Sequence, residues 1–149
     1  MPSAKKYTFR HRGFDYPTVA YLCLLNDKII DESPELNESK GIHNQNLLES
    51  VQHKPVNSAH GQDAYPTLFT KVAAIGHEIA HGHIFNNGNK RTAIQAMVLT
   101  LAWNGYRRQP NQKSMELAVL LTAAGFLNVD GLRMALLYAY GLDEKDQTL

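Results

Sequence analysis

The sequence predicts an all-α domain, a compact helical bundle with one helix buried at its centre, and three observations carry that expectation. Apolar residues recur at three- and four-residue spacing through most of the chain. Stretches of Gly, Pro, Asn, Ser and Asp separate these segments as loop punctuation. One segment, Ala93 to Trp103, is apolar almost all round, as in a helix surrounded by others. At 149 residues with 44% hydrophobic content, the chain has the size of one domain. The reading is therefore a single domain over 1–149.

Element by element, residues 1–15 are polar and aromatic without a period and read as a short strand or an ordered arm. From Asp15 the pattern turns helical, with Pro17 placed as a first-turn proline and Val19, Leu22, Cys23, Ile29 and Ile30 on one face. Asp31 to Asn44 is a loop of turn formers and acids. A short helix from Gln45 to Gln52 carries Leu47, Leu48 and Val51, and Lys54 to Ala64 is a second loop. Pro66 opens a helix that Gly82 should end. The next helix runs from Asn89 to Asn104-Gly105, and two more cover Ser114 to Ala124 and Val129 to Tyr140. Residues 142–149 read as a frayed tail.

Composition excludes several classes. Fifteen Lys and Arg against fourteen Asp and Glu leave a formal charge of +1, which is no polybasic nucleic-acid surface, so direct nucleic-acid binding is not expected. The single cysteine, Cys23, permits no internal disulfide framework. No stretch approaches the roughly 18 apolar residues of a membrane helix. The N-terminal charges have no apolar run behind them, so the expectation is a cytoplasmic protein without a membrane partner. Trp103, Tyr138 and Tyr140 keep apolar company at helical spacing and are expected in the core.

Chemistry concentrates between Gly76 and Thr92, GHEIAHGHIFNNGNKRT, where two motifs overlap. His77-Glu78-Ile79-Ala80-His81 is an HExxH, the pattern by which two histidines four apart hold zinc while the glutamate serves as base. A zinc hydrolase also needs a third ligand, and Glu116 is the one downstream helical acid that could supply it.

The second motif is His83-Ile84-Phe85-Asn86-Asn87-Gly88-Asn89-Lys90-Arg91. It places a histidine in a short interhelix loop just before a helix begins. A helix start presents unpaired N–H groups and the positive end of the macrodipole, and so receives anions. Gly88 leaves those amides open. Lys90 and Arg91 stand in the first turn, where cations oppose the dipole unless an anion is bound. Ile84 and Phe85 can anchor the loop in the core and turn His83 outward. An imidazole so placed can take a proton from a hydroxyl nucleophile. The functional reading is phosphoryl or nucleotidyl transfer, and the plainer alternative is an Asn-Gly bend followed by a solvated basic first turn.

HIFNNGNKRTA closely resembles the HxFx(D/E)(G/A)N(G/K)R loop of the Fic/Doc family, and Lys90 with the following Thr92-Ala93 resembles its Doc, or death-on-curing, branch. Gly41 to Pro55, GIHNQNLLESVQHKP, is similar to the family's upstream GLRDxxLLESALxxP segment. AYPTLFTKVAAIGHEIAHGH looks like the helix leading into the loop. The resemblance implies a Fic/Doc-type helical bundle and a nucleotide-dependent transferase. His83 would be the base, Phe85 the anchor, Gly88 and Asn89 the phosphate cradle, and Lys90 and Arg91 the groups that neutralise charge on the transferred phosphoryl.

It also implies ATP as substrate and Mg²⁺ as cofactor. A translation elongation factor would be the target, and a small antitoxin the partner, expected against the loops at 31–44 and 54–64. The second arginine of many Fic members would fall at Ile94, and its absence favours phosphoryl over adenylyl transfer. Two departures stand out. Asn87 replaces the acid that would hold Mg²⁺, which would weaken metal binding and attenuate transfer. His43 and Asn44 replace the upstream Arg-Asp, with Asn44 also suited to cap the short helix. Besides a Doc-like kinase, three readings remain: a Fic-type adenylyltransferase, a zinc hydrolase, and a catalytically silent binding module.

Overall fold

The computed structural model describes residues 6–143, 145, 146, 148 and 149. Residues 1–5, part of the expected N-terminal arm, lie outside the described residues. The chain opens with an antiparallel hairpin, β1 (Thr8–His11) and β2 (Phe14–Pro17), in register Thr8 to Pro17 and His11 to Phe14. Its two-residue turn is Arg12-Gly13, with φ of 49° and 86°, the left-handed pair that a tight hairpin requires. The helical reading from Asp15 is thus corrected. Pro17 ends a strand, and α1 (Val19–Asp31) begins after Thr18, whose hydroxyl accepts from the Tyr21 N–H.

Then follow α2 (Gln45–His53), a 3-10 turn at Lys54–Val56, and a miniature hairpin of β3 (Ser58–Ala59) and β4 (Gln62–Asp63). The remaining helices are α3 (Leu68–His81), α4 (Asn89–Trp103), α5 (Gln112–Ala123) and α6 (Val129–Ala139). The fold is mostly helical, with only these two small strand pairs among the described residues. No helix among them is long and apolar enough to cross a membrane.

The helix at the centre is α3 rather than α4. Ten of its residues are buried, and it packs on α2, α4, α5 and α6. On α4 the buried stripe is Thr92, Ala93, Ala96, Met97, Thr100 and Leu101, while Ile94, Val98 and Leu99 are only half-buried. The two helices meet closely at Gly76, where a Cβ would stand 2.2 Å from the Met97 sulfur. Trp103 and Tyr140 pack edge-on against Tyr21 and Phe69, but Tyr138 is 77% exposed, contrary to its expected place in the core. At the C-terminus, Leu142 and Leu149 pack against the core, and the Leu149 carbonyl accepts from the Phe69 N–H.

One buried charge is kept on α3. Lys71 donates to the Pro55 carbonyl at 2.9 Å and to Asp63 at 2.7 Å, which ties β4 and the 3-10 turn to the central helix. Arg12 stands 3.4 Å from the same carboxylate. Lys71 beside Asp63 holds the carboxyl below its ordinary range, with smaller help from Arg12 and His11.

A group depressed in the folded state contributes stability above its unfolded pKa and loses it as pH falls through the folded value. The contribution of Asp63 should therefore be complete above about pH 4 and fade only below it. Asp63→Asn leaves the Lys71 ammonium buried without its counter-ion. Urea unfolding at neutral pH should show a loss of about 3–5 kcal/mol, and the acid-sensitive part of the stability should shrink with it.

Candidate active site

The turn from α3 into α4 is built from the inside out. Gly82 caps α3 with its N–H on the Glu78 carbonyl. Ile84 is 0% exposed and Phe85 2%, so both apolar side chains are driven inward as expected. Between them and the helix end, His83 takes a left-handed φ of 50° and stands exposed. Its ring makes no hydrogen bond among the described residues, and so remains open to an incoming group.

Two carboxamides then fix the turn. The carboxamide of Asn89 closes a ring with the Phe85 peptide, accepting from its N–H and donating to its carbonyl, both at 2.9 Å. Asn26, on α1 and 1% exposed, donates to the Asn87 carbonyl at 2.9 Å and to the Thr92 hydroxyl at 3.1 Å. Asn26 escapes a sequence reading, because a lone Asn in an apolar helical stretch carries no mark of a partner 61 residues away. Gly88, the N-cap of α4, has φ 77°, and a Cβ there would lie 3.1 Å from Ile30 and 3.2 Å from Asn26. The left-handed conformation favours glycine, and a Cβ would crowd both neighbours.

A strap from the 31–44 loop runs beside this turn. The His43 and Asn44 N–H groups donate to the Ile84 carbonyl at 2.7 and 3.0 Å, and the Asn86 N–H donates to the Gly41 carbonyl at 3.0 Å. Ile42 and Phe85 form an antiparallel bridge. The side chains of Asn86 and Asn87 donate to the Lys40 and Ser39 backbone. At position 87, therefore, an amide faces the strap. The Asn44 side chain caps α2, donor Leu47, as its sequence suggested.

The electrostatics of the α4 mouth differ from every other helix start. Helices α1, α2, α3, α5 and α6 each open with a Thr or Asn whose side chain accepts from a first-turn N–H. α4 opens on Gly88 with no side-chain cap and no acid in its first turn, and instead carries Lys90 and Arg91, both exposed. Arg91 is paired with Glu38, whose other oxygen accepts from the Ser33 hydroxyl. These contacts, Ser33 first and Arg91 second, hold the Glu38 carboxyl below its usual range. Beside Arg91 an open cavity of about 800 Å³ lies between α1, α4 and α5, with Ile29, Ile94, Val98 and Gln95 among its walls. His83 and Lys90 are not among its lining residues.

The HExxH residues do not converge on a metal. His77 and His81 share a face with ring centroids 5.6 Å apart, but His77 Nε2 meets the Leu127 carbonyl at 3.2 Å. Burial, and then the neighbouring His81, push the His77 pKa down. Glu78 turns toward Ser50 and Lys54, each 3.4 Å away. Glu116 accepts from Gln112 on the surface of α5. Among the described residues no group of three or more His, Cys, Asp or Glu could hold a metal ion.

The model of the Fic/DOC family matches residues 16–101, more than half of the chain and all of the turn just described. The chain belongs to the Fic/DOC family. Toxin Doc of Mycolicibacterium smegmatis is 41% identical over 59 residues, which cover 40% of this chain and 45% of that relative. The match therefore spans less than half of the relative's length. Within this Fic/DOC chain the family turn is the uncapped mouth of α4, with His83 at one end and Arg91 at the other.

Because Arg91 is engaged by Glu38, Glu38→Gln should release its charge toward the mouth. Calorimetric titration with pyrophosphate should then show several-fold tighter binding than the parent chain, and the gain should vanish in Glu38→Gln combined with Arg91→Ala. Equal affinity in Glu38→Gln and parent would mean that Arg91 is not part of the anion site.

Proposed function

We propose that this chain is a Doc-like toxin that transfers the γ-phosphoryl group of ATP to a hydroxyl side chain of a target protein. The observation that carries the reading is the mouth of α4. An uncapped, cationic helix start costs stability in the empty protein and is favourable when phosphate occupies it. The exposed, hydrogen-bond-free His83 stands in the same turn.

In this reading the Asn89, Lys90 and Arg91 end of the turn receives the triphosphate on backbone N–H groups and two cationic side chains. The target hydroxyl oxygen attacks the γ-phosphorus while His83 accepts its proton. The bond between the γ-phosphorus and the bridging oxygen breaks, and ADP leaves. Lys90 and Arg91 offset charge on the transferring oxygens. Asn89 and Asn26 position rather than react, because their carboxamides are committed to the loop backbone and to Thr92.

The family resemblance implies Mg²⁺, and the residues present do not fit a carboxylate-held ion. Position 87 offers a neutral amide turned to Ser39, and Glu38 is taken up by Arg91 and Ser33. No step here runs through a metal. The consequence is an attenuated transferase.

Ile94 in place of a second arginine supports phosphoryl over adenylyl transfer, since the mouth then has fewer cations to hold an α-phosphate in line. The similarity to a protein named Toxin Doc supports a small antitoxin as partner and action in the cytoplasm. A translation elongation factor as target follows from the family resemblance alone.

Incubating the chain with a bacterial lysate and ATP labelled at the γ or the α position tests the reading. Label from the γ position alone on one protein is expected, and label from the α position would replace kinase with adenylyltransferase. His83→Ala should lower transfer about 10²–10⁴-fold, as removal of a general base does, and should abolish growth arrest on expression. Growth arrest that survives the substitution would instead indicate a binding module without chemistry.

A further inference from the structure

Two Asn-Gly dipeptides occur in the chain, Asn87-Gly88 and Asn104-Gly105, and the fold treats them differently. Such a pair is prone to an intramolecular reaction, because glycine leaves its own amide nitrogen unshielded beside the preceding carboxamide. The reaction needs a carboxamide that can swing and a nitrogen that can attack.

At Asn104 neither is available. Its oxygen accepts from the Asp15 N–H at 2.8 Å, and its nitrogen donates to the Asp15 and Thr100 carbonyls, each at 2.8 Å. The Gly105 N–H is itself bonded to the Ala102 carbonyl. At Asn87 the carboxamide has only two long contacts, 3.2 and 3.3 Å, both to the exposed Ser39. The Gly88 N–H finds no acceptor among the described residues. That nitrogen lies at the start of α4, beside Lys90 and Arg91, where a positive field favours loss of its proton.

We propose that Asn87 is a site of spontaneous deamidation, which installs a carboxylate directly before the Gly88 N-cap of α4, where the side chain is now a neutral amide. The Gly88 nitrogen, deprotonated, bonds to the Asn87 side-chain carbonyl carbon. The bond from that carbon to Nδ2 breaks, and ammonia leaves with the proton, which gives a succinimide. Water then opens the ring. Addition at the side-chain carbon yields aspartate, and addition at the main-chain carbon yields isoaspartate. One water is consumed and one ammonia released, with no oxidant or reductant.

The aspartate form places a negative charge just before the first turn of α4, where the dipole and Lys90 and Arg91 favour it. Resting on the function proposed above, it also provides a hard oxygen ligand for a divalent cation that arrives with ATP.

The test is to age the full chain at neutral pH and map its peptides by mass. Conversion of amide to acid is expected at residue 87 and not at residue 104 in the folded protein, and at both in denaturant. Asn87→Gln, which leaves the Gly88 backbone as it is, should abolish the conversion. No mass gain at 87 while the denatured chain reacts, or faster reaction at 104, would overturn the proposal. This readout needs no activity, so it stands or falls apart from the transferase reading. Binding of Mn²⁺ in the presence of ATP, followed by electron paramagnetic resonance, should be tighter in Asn87→Asp than in the parent. Equal binding would overturn the link to metal.

Discussion

Burial of Ile84 and Phe85 is the constraint on which the site depends. Each side chain contributes about 1.5–3 kcal/mol by leaving water. Holding a non-glycine residue in the left-handed region costs about 1–2 kcal/mol, and His83 bears that cost. The apolar term is larger, so the turn accepts the strain and the imidazole points outward. The same two residues bring the 84–86 backbone against Gly41 to Asn44, where the Ile84 carbonyl and the Asn86 N–H find partners in the strap. Packing thus determines where the His83 imidazole stands.

A second consequence follows at the α4 mouth. The turn is spent on aligning Asn87, Gly88 and Asn89, and Gly88 adopts a left-handed φ where a Cβ would crowd Ile30 and Asn26. No capping side chain can stand at that position. The other five helices begin with side-chain caps that each contribute on the order of 1 kcal/mol. α4 forgoes that and adds two cations against its dipole. Glu38 compensates in part by pairing with Arg91, and it comes from the same strap that shapes the turn. Strap and mouth are one electrostatic unit, so whatever displaces the strap changes the charge that an approaching anion meets.

Much of this was legible in the sequence, for physical reasons that particular residues make plain. Helical spacing marked α3 to α6 because their apolar faces are long. The inward Ile84 and Phe85, the outward His83, and the cationic first turn followed from residue type and position. The hairpin at Thr8–Pro17 was legible only in part, as a short strand or arm over 1–15, because strands of four residues do not establish a period and Pro17 is as suited to a strand end as to a first helical turn. The central helix was misplaced for a related reason. Lys71, His77 and Glu78 give α3 a polar look, yet Lys71 is buried by pairing with Asp63, whereas the more uniformly apolar α4 leaves part of its face half-buried beside a cavity. The strap from Glu38 to Asn44 acts largely through backbone groups, which leave no trace in side-chain identity. Asn26 belongs with it, since its value lies in a partner that only the fold supplies.

The central claim is that the α4 mouth is an anion site made by its bare N–H groups and its two cations. Amide chemical shifts during an ATP titration test it most directly. The account predicts saturable changes concentrated at Asn89, Lys90 and Arg91, weakened by added salt and by Lys90→Ala. Shifts that are absent there, or that appear on α5 and α6 instead, would contradict it.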